Sequence, residues 1–209
     1  MKVMIKDPQS MTLEKFIRLF DREGMIILLE GKREVLPQDT HLLVAIGRLL
    51  AEKTKWTIFR SGNAGGADTY FKEGVVSVDP KRFQAIVPFD EHMKSVKEGA
   101  VSYDRISLDS INLAKEQNVL YESKRNKKKV GMIDSYLQGA DPQKKGAYII
   151  RDTLKVTGAP RHGILPASFG IFYDDLRKPK DGGTGHTMTV CDNQQVPYID
   201  QRVWINWLS

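Results

Sequence analysis

Two glycine-rich strings carry most of the chemistry this sequence can perform: Arg60-Ser61-Gly62-Asn63-Ala64-Gly65-Gly66 and Asp181-Gly182-Gly183-Thr184-Gly185. Glycine lets the backbone approach a ligand closely and take up positive φ. Where a helix begins just after it, unpaired amide N–H groups and the positive end of the helix dipole face the gap. That corner favours phosphate. Helical patterns follow both strings, over 67–73 and 186–194. A third turn, Gly31-Lys32-Arg33, follows the first apolar run. One such loop is equally well a plain turn; two in equivalent positions point to ligand binding.

The polar residues beside the loops each carry two readings. Arg60 and Ser61 sit at a strand end, where the guanidinium is either a phosphate clamp or half of an ordinary ion pair. Asn63 either fixes a base or ribose or holds the turn. Asp68 contacts a ribose hydroxyl or merely favours the helix dipole. Thr184 and Thr187 donate hydroxyls to phosphate or cap the helix. His186 is a ligand contact, a general acid or base, or a solvent-facing residue.

The elements that must position these groups alternate. A lead-in over 1–24 reads as helical, with Phe16, Ile17, Leu19 and Phe20 on one stripe. Strands are predicted over 25–29, 56–59, 84–88, 167–173 and 196–199. Helices are predicted from Pro37 or Asp39 to about Lys53, then over 67–73, 103–117, 130–137 and 186–194. The stretch 118–150 reads as a peripheral insertion, and the apolar tail 203–208 must pack on something. Alternation of this kind implies an α/β fold, a Rossmann-like three-layer domain with a mostly parallel sheet, occupying 25–209. The loops at 31–33, 60–66 and 181–185 all follow predicted strands, so they gather on one rim.

Bulk properties narrow the class. The 209 residues carry a net charge of +6, which suits an anionic partner, and no apolar run approaches the ~20 residues of a membrane span. A charged N-terminus and a single cysteine, Cys191, favour a cytoplasmic setting without disulfides. Lys124, Arg125, Lys127, Lys128 and Lys129 form a nearly continuous basic run, read as a mobile solvated face with weak nucleic-acid affinity and little part in a small-ligand pocket. There is no Walker-type phosphate loop, no GxGxxG in the first strand–helix unit, no metal spacing among the four histidines and no nucleophile elbow. No cofactor is expected.

FRSGNAGGADTYF (59–71) and GGTGHTMTVCDNQQVPYID (182–200) resemble the paired signatures of the SLOG superfamily, which includes DprA/Smf DNA-processing proteins and the cytokinin-activating phosphoribohydrolases. The resemblance covers about 25–117 and 163–200. It implies a nucleotide-type ligand across both loops and a homo-oligomer. It does not imply one activity. The phosphoribohydrolases resemble one another in PGGxGTxxE, whereas Asp181 stands here for the proline and His186-Thr187-Met188-Thr189 follows Gly185 without a glutamate. The leading reading is therefore a binding or sensing domain for a nucleotide or an ADP-ribose-like derivative, leaning away from an enzyme. The rivals are a nucleotide N-glycosidase, with Asp68 or Asp174 replacing the missing carboxylate, and a DprA-like nucleic-acid binder using the basic run.

Overall fold

The computed structural model describes residues 5, 7–92 and 102–209. Its centre is a six-stranded sheet in the order β4-β3-β2-β1-β5-β6, with every pairing parallel. The strands are β1 (Ile26–Gly31), β2 (Ile58–Ser61), β3 (Phe83–Val87), β4 (Asp104–Ser107), β5 (Phe169–Tyr173) and β6 (Tyr198–Ile199). The helices are α1 (Leu13–Phe20), α2 (Thr40–Lys53), α3 (Ala67–Val76), α4 (Gln117–Lys124), α5 (Val130–Leu137), α6 (Lys145–Thr157), α7 (Gly182–Gln194) and α8 (Gln201–Trp204). None of the described helices is long and apolar enough to cross a membrane.

The central strands are apolar runs because both of their faces are covered. Alternate residues part at the sheet: Ile27, Leu29, Phe59, Phe83 and Ile171 join the core with Phe16, Phe20, Leu43, Phe71 and Trp204. Leu28 and Phe172 face the other way, with Met188, Val190 and Cys191 of α7. On that second face Ile86 packs with Ile133 of α5 and with Ile149, Ile150 and Leu154 of α6. The apolar tail closes the first core. Val203, Trp204 and Trp207 are buried, and the Trp204 and Trp207 indoles donate to the carbonyls of Phe172 and Met11.

Two expectations change at the level of elements. The helix expected over 103–117 is β4, followed by short 3-10 turns at Leu108–Ser110 and Leu113–Lys115. Pairing with β3 outweighs local helical spacing there, and Ser107 accepts from the Asp109 amide to turn the chain just after the strand. The second glycine string is not a loop. Its glycines form the first turn of α7, which starts at Gly182, four residues earlier than expected. The 118–150 stretch contains α4, α5 and the start of α6, which share a core with Ile86 of the sheet.

The order of strands sets the site. From β1 the chain builds outward through β2 and β3 to β4 on one side, while β5 and β6 occupy the other. The switch point lies between β1 and β5. In open parallel sheets the crevice for ligands opens there, beyond the carboxyl ends of the strands.

Candidate functional site

A cavity of about 570 Å³ opens at this switch point. Its wall takes Glu30 to Glu34 from the end of β1, Ala64 and Asp68 from the β2–α3 connection, and Asp181 to Thr184 from the start of α7. The three strings expected to share a rim therefore do meet. The remaining wall comes from Lys129, just before α5, from Met132 of α5, and from Lys145, Tyr148, Ile149, Arg151, Asp152 and Lys155 of α6.

The base of the cavity is a buried charge network. Glu30, Arg151, Asp152 and Lys155 are each less than 8% exposed. The Lys155 ammonium touches Glu30 Oε2 and lies 2.8 Å from Asp152 Oδ1, and Arg151 Nε lies 3.2 Å from the same Asp152 oxygen. Arg151 Nη1 also donates to the Gly62 carbonyl at 2.8 Å. Burial disfavours each charge, and neighbours decide the outcome. Asp152 is pushed up by burial, but Arg151 and Lys155 outweigh that and hold it below its ordinary value. Lys155 is pushed down by burial, but Asp152 and Glu30 hold it above its ordinary value. Glu30 is the exception. Burial drives it up to about 8, and Lys155 only partly opposes this. Close contact alone would make Glu30 and Lys155 an ion pair. Burial outweighs that contact, however, and the nearby Asp68 and Asp152 charges add to it. The network thus lowers Asp152 and raises Glu30 well above the usual carboxylate range.

The mouth is cationic and more open. Lys32 is half-buried and pairs with Asp175 at 2.9 Å; Arg33 and Lys145 are exposed; Lys129 is half-buried. Asp181, Gly182 and Gly183 are exposed at the start of α7. The first amides of a helix have no intrahelical acceptor; the Asp181 carboxylate engages that of Gly182, and those of Gly183 and Thr184 remain at the cavity. A Cβ on Gly183 would meet only Asp152 Oδ2, at 3.3 Å.

Several residues named from sequence have other work. Arg60 is wholly buried and does not line this cavity. It donates from Nε to Gln84 Oε1 at 2.6 Å, and from Nη1 to the carbonyls of Lys155 and Leu165 at 2.9 and 2.8 Å. Gln84 donates in turn to Asp104 at 2.6 Å, so a polar row crosses three strands in register. The phosphate-clamp reading of Arg60 fails because its strand position turns it toward the end of α6. Ser61 is buried and its hydroxyl accepts from the Asn63 amide. Asn63 takes a left-handed turn conformation at φ 50°, and its Oδ1 accepts from Lys72. Asp68 spends both oxygens on backbone, accepting from the amides of Gly31 and Ala64.

The glycines divide in the same way. Gly62 makes room for Arg151, whose Nη1 would lie 1.6 Å from a Cβ there. Gly66 combines φ +85° with the Arg33 backbone, 2.2 Å from a Cβ position. Gly65 has open space and lies outside the cavity wall. On α7, Thr184 lines the cavity, whereas Thr187 donates to the Gly183 carbonyl. Gly185 packs on the Lys180 backbone. His186 is buried against α6, paired with Thr153 Oγ1 at 3.1 Å, and pushed down to about 4 by burial and then by Lys129. It is a neutral interior group, neither a solvent-facing residue nor part of the cavity wall.

Part of the basic run is also committed. Lys124 pairs with Asp134 and Arg125 with Glu122. Lys127–Lys129 form a 3-10 turn whose Lys128 amide is held by Asn126 Oδ1. The run expected to stand apart from the pocket thus places Lys129 in its wall.

Sequence reading missed Glu30, Arg151, Asp152 and Lys155. The available signal was an acid closing an otherwise apolar strand, and the string Arg-Asp-Thr-Leu-Lys at 151–155. The sequence matches no protein-family model and no curated protein. Among solved structures, DNA processing protein A from Helicobacter pylori, described for its single-stranded DNA binding mode, aligns over 94% of this chain and 74% of its own, with a TM-score of 0.45 and 16% identity.

Proposed function

We propose that this cleft binds a nucleotide or nucleotide-derived ligand through its phosphate. The observation that carries the proposal is the exposed first turn of α7, facing a cationic mouth at the β1/β5 switch point. The cavity volume falls within the range of about 300–1,000 Å³ usual for small-molecule sites. Met132 and Tyr148 offer apolar surface to a base. The SLOG-like strings support the same ligand class. The reading is one of binding without cleavage. Asp68 is tied to two amides, and Asp174, which accepts from the Lys180 amide, lies outside the cavity wall.

Calorimetry with AMP, ADP-ribose and adenosine tests this. The phosphorylated ligands are expected to bind, and adenosine to bind at least tenfold more weakly, the scale of one charge-assisted hydrogen bond or more. Gly183→Val places a branched side chain between the α7 amides and Asp152, and is expected to abolish AMP binding with an unchanged melting curve. Equal affinities for AMP and adenosine, or full affinity in Gly183→Val, would remove the phosphate from the reading.

A second reading, binding of a longer polyanion, is favoured by Lys129, which belongs to both the basic run and the cavity wall. Lys129→Ala is expected to weaken AMP roughly threefold to tenfold, the worth of a partly exposed charge. The double substitution of Lys127 and Lys128 by alanine is expected to spare AMP and to weaken a single-stranded oligonucleotide in a salt-sensitive manner. An oligonucleotide affinity indifferent to both variants and to salt would dismiss the second reading.

A further inference from the structure

Asp152 lies at the boundary between the buried base of the cleft and its anion-binding mouth. Its contacts with Arg151 and Lys155 both run through Oδ1. Oδ2 is directed elsewhere, 3.3 Å from where a Cβ on Gly183 would sit. The carboxylate thus stands beside the first turn of α7, on the side to which a Gly183 side chain would point. Left alone beside the amides of that turn it would compete with a phosphate. Arg151 and Lys155 compensate its charge, so it remains as a hydrogen-bond acceptor that does not repel an anion beside it.

Adjacency decides what Oδ2 accepts from. In a 5′-phosphorylated nucleoside the group next to the phosphate is the sugar, with the base beyond it. A carboxylate oxygen beside the phosphate site therefore meets sugar hydroxyls, which are donors, before it meets any base amine. A sugar lacking a hydroxyl leaves this acceptor unpaired in a low-exposure site, which is costly. Resting on the nucleotide-binding reading above, we propose that Asp152 Oδ2 accepts from a ribose hydroxyl of the ligand, making the cleft selective for ribonucleoside 5′-phosphates over their 2′,3′-dideoxy counterparts, and over the 2′-deoxy ones where the 2′-hydroxyl is the one held. Arg151 and Lys155 act as positioning residues, fixing the carboxylate through its other oxygen.

The test compares AMP, 2′-deoxy-AMP and 2′,3′-dideoxy-AMP by calorimetry on the full chain. The expected result is a loss of at least about tenfold from AMP to the dideoxy compound, with the 2′-deoxy compound between them or equal to one of them according to which hydroxyl is held. In Asp152→Asn the ratio is expected to collapse to within about twofold, because the neutral amide no longer supplies a charged acceptor; Asp152→Glu is expected to retain discrimination. Melting curves identify any variant that fails to fold, and the wild-type ratio stands without them. Equal affinities of the wild type for all three compounds would overturn this inference and leave nucleotide binding intact. Absence of binding to all three would overturn the nucleotide reading and the inference with it.

Discussion

Arg60→Ala is expected to cost the fold about 3–5 kcal/mol, the scale for truncating one member of a buried charged hydrogen-bond group. The variant leaves Gln84 Oε1 and the carbonyls of Lys155 and Leu165 without their donor, and opens a void where a fully buried side chain stood. The carbonyl of Lys155 belongs to the last turn of α6, where carbonyls lack intrahelical donors, so the loss also unfastens that helix from β2. Arg60→Met keeps much of the volume and removes the donors; it should recover only the packing share. Urea denaturation measures both. Below the melting transition AMP affinity should change by less than about twofold, because Arg60 does not line the cavity. A stability loss under about 1 kcal/mol, or a selective loss of phosphorylated ligands, would restore the clamp reading.

The second large effect is a pH dependence. Glu30 is raised in the folded protein from 4.5 to about 8. A carboxyl with a raised folded pKa binds more protons folded than unfolded. Its contribution to stability is complete below the unfolded value and is lost as pH rises toward the folded one. Two buried histidines act in the opposite sense. His92 and His186 are each lowered from 6.5 to about 4, so their contribution grows as pH rises through 6.5 and levels off about one unit above it. Asp152, held below 3.8, adds nothing further in this range. From pH 6.5 to 8 Glu30 therefore dominates: its own contribution is expected to fall by about 1.5 kcal/mol and stability by about 1 kcal/mol, the histidines returning the difference. Glu30→Gln keeps the shape and an acceptor for Lys155 and removes the proton. The fall should vanish in it, leaving it more stable than wild type at pH 8. An identical slope in wild type and variant would show that Glu30 is not the titrating group.

These two residues also show how far the sequence could be read. The sheet was legible because β1, β3 and β5 are mostly apolar and buried on both faces, and β2 opens on an apolar pair, a pattern that needs no tertiary knowledge. The meeting of Gly31, Asp68 and Gly182 at one rim followed from the order of strands and loops alone. Arg60 was misread because a charged residue near a strand end is usually exposed; only the register with Leu28 and Gln84 turns it inward beneath α6. Helix α6 was not recognised because it is enclosed along most of its length, and its charged residues interrupt the apolar period. Those interrupting residues form the base of the cleft. A site assembled from a helix whose pattern the site itself disrupts stays hidden until the fold brings Glu30 against it.

Lys155 has a consequence for how this protein can change over evolutionary time. Its ammonium contacts both carboxyl groups at the base of the cleft, while its backbone carbonyl receives the guanidinium that fastens α6 to the sheet. A substitution at the cleft's base is therefore also a disturbance of the framework, and most such variants would be lost for instability before any new ligand preference could be selected. Lys32, Arg33, Lys129 and Lys145 carry no comparable burden. Divergence among descendants of this chain should concentrate at the mouth, while the buried base of the cleft stays fixed.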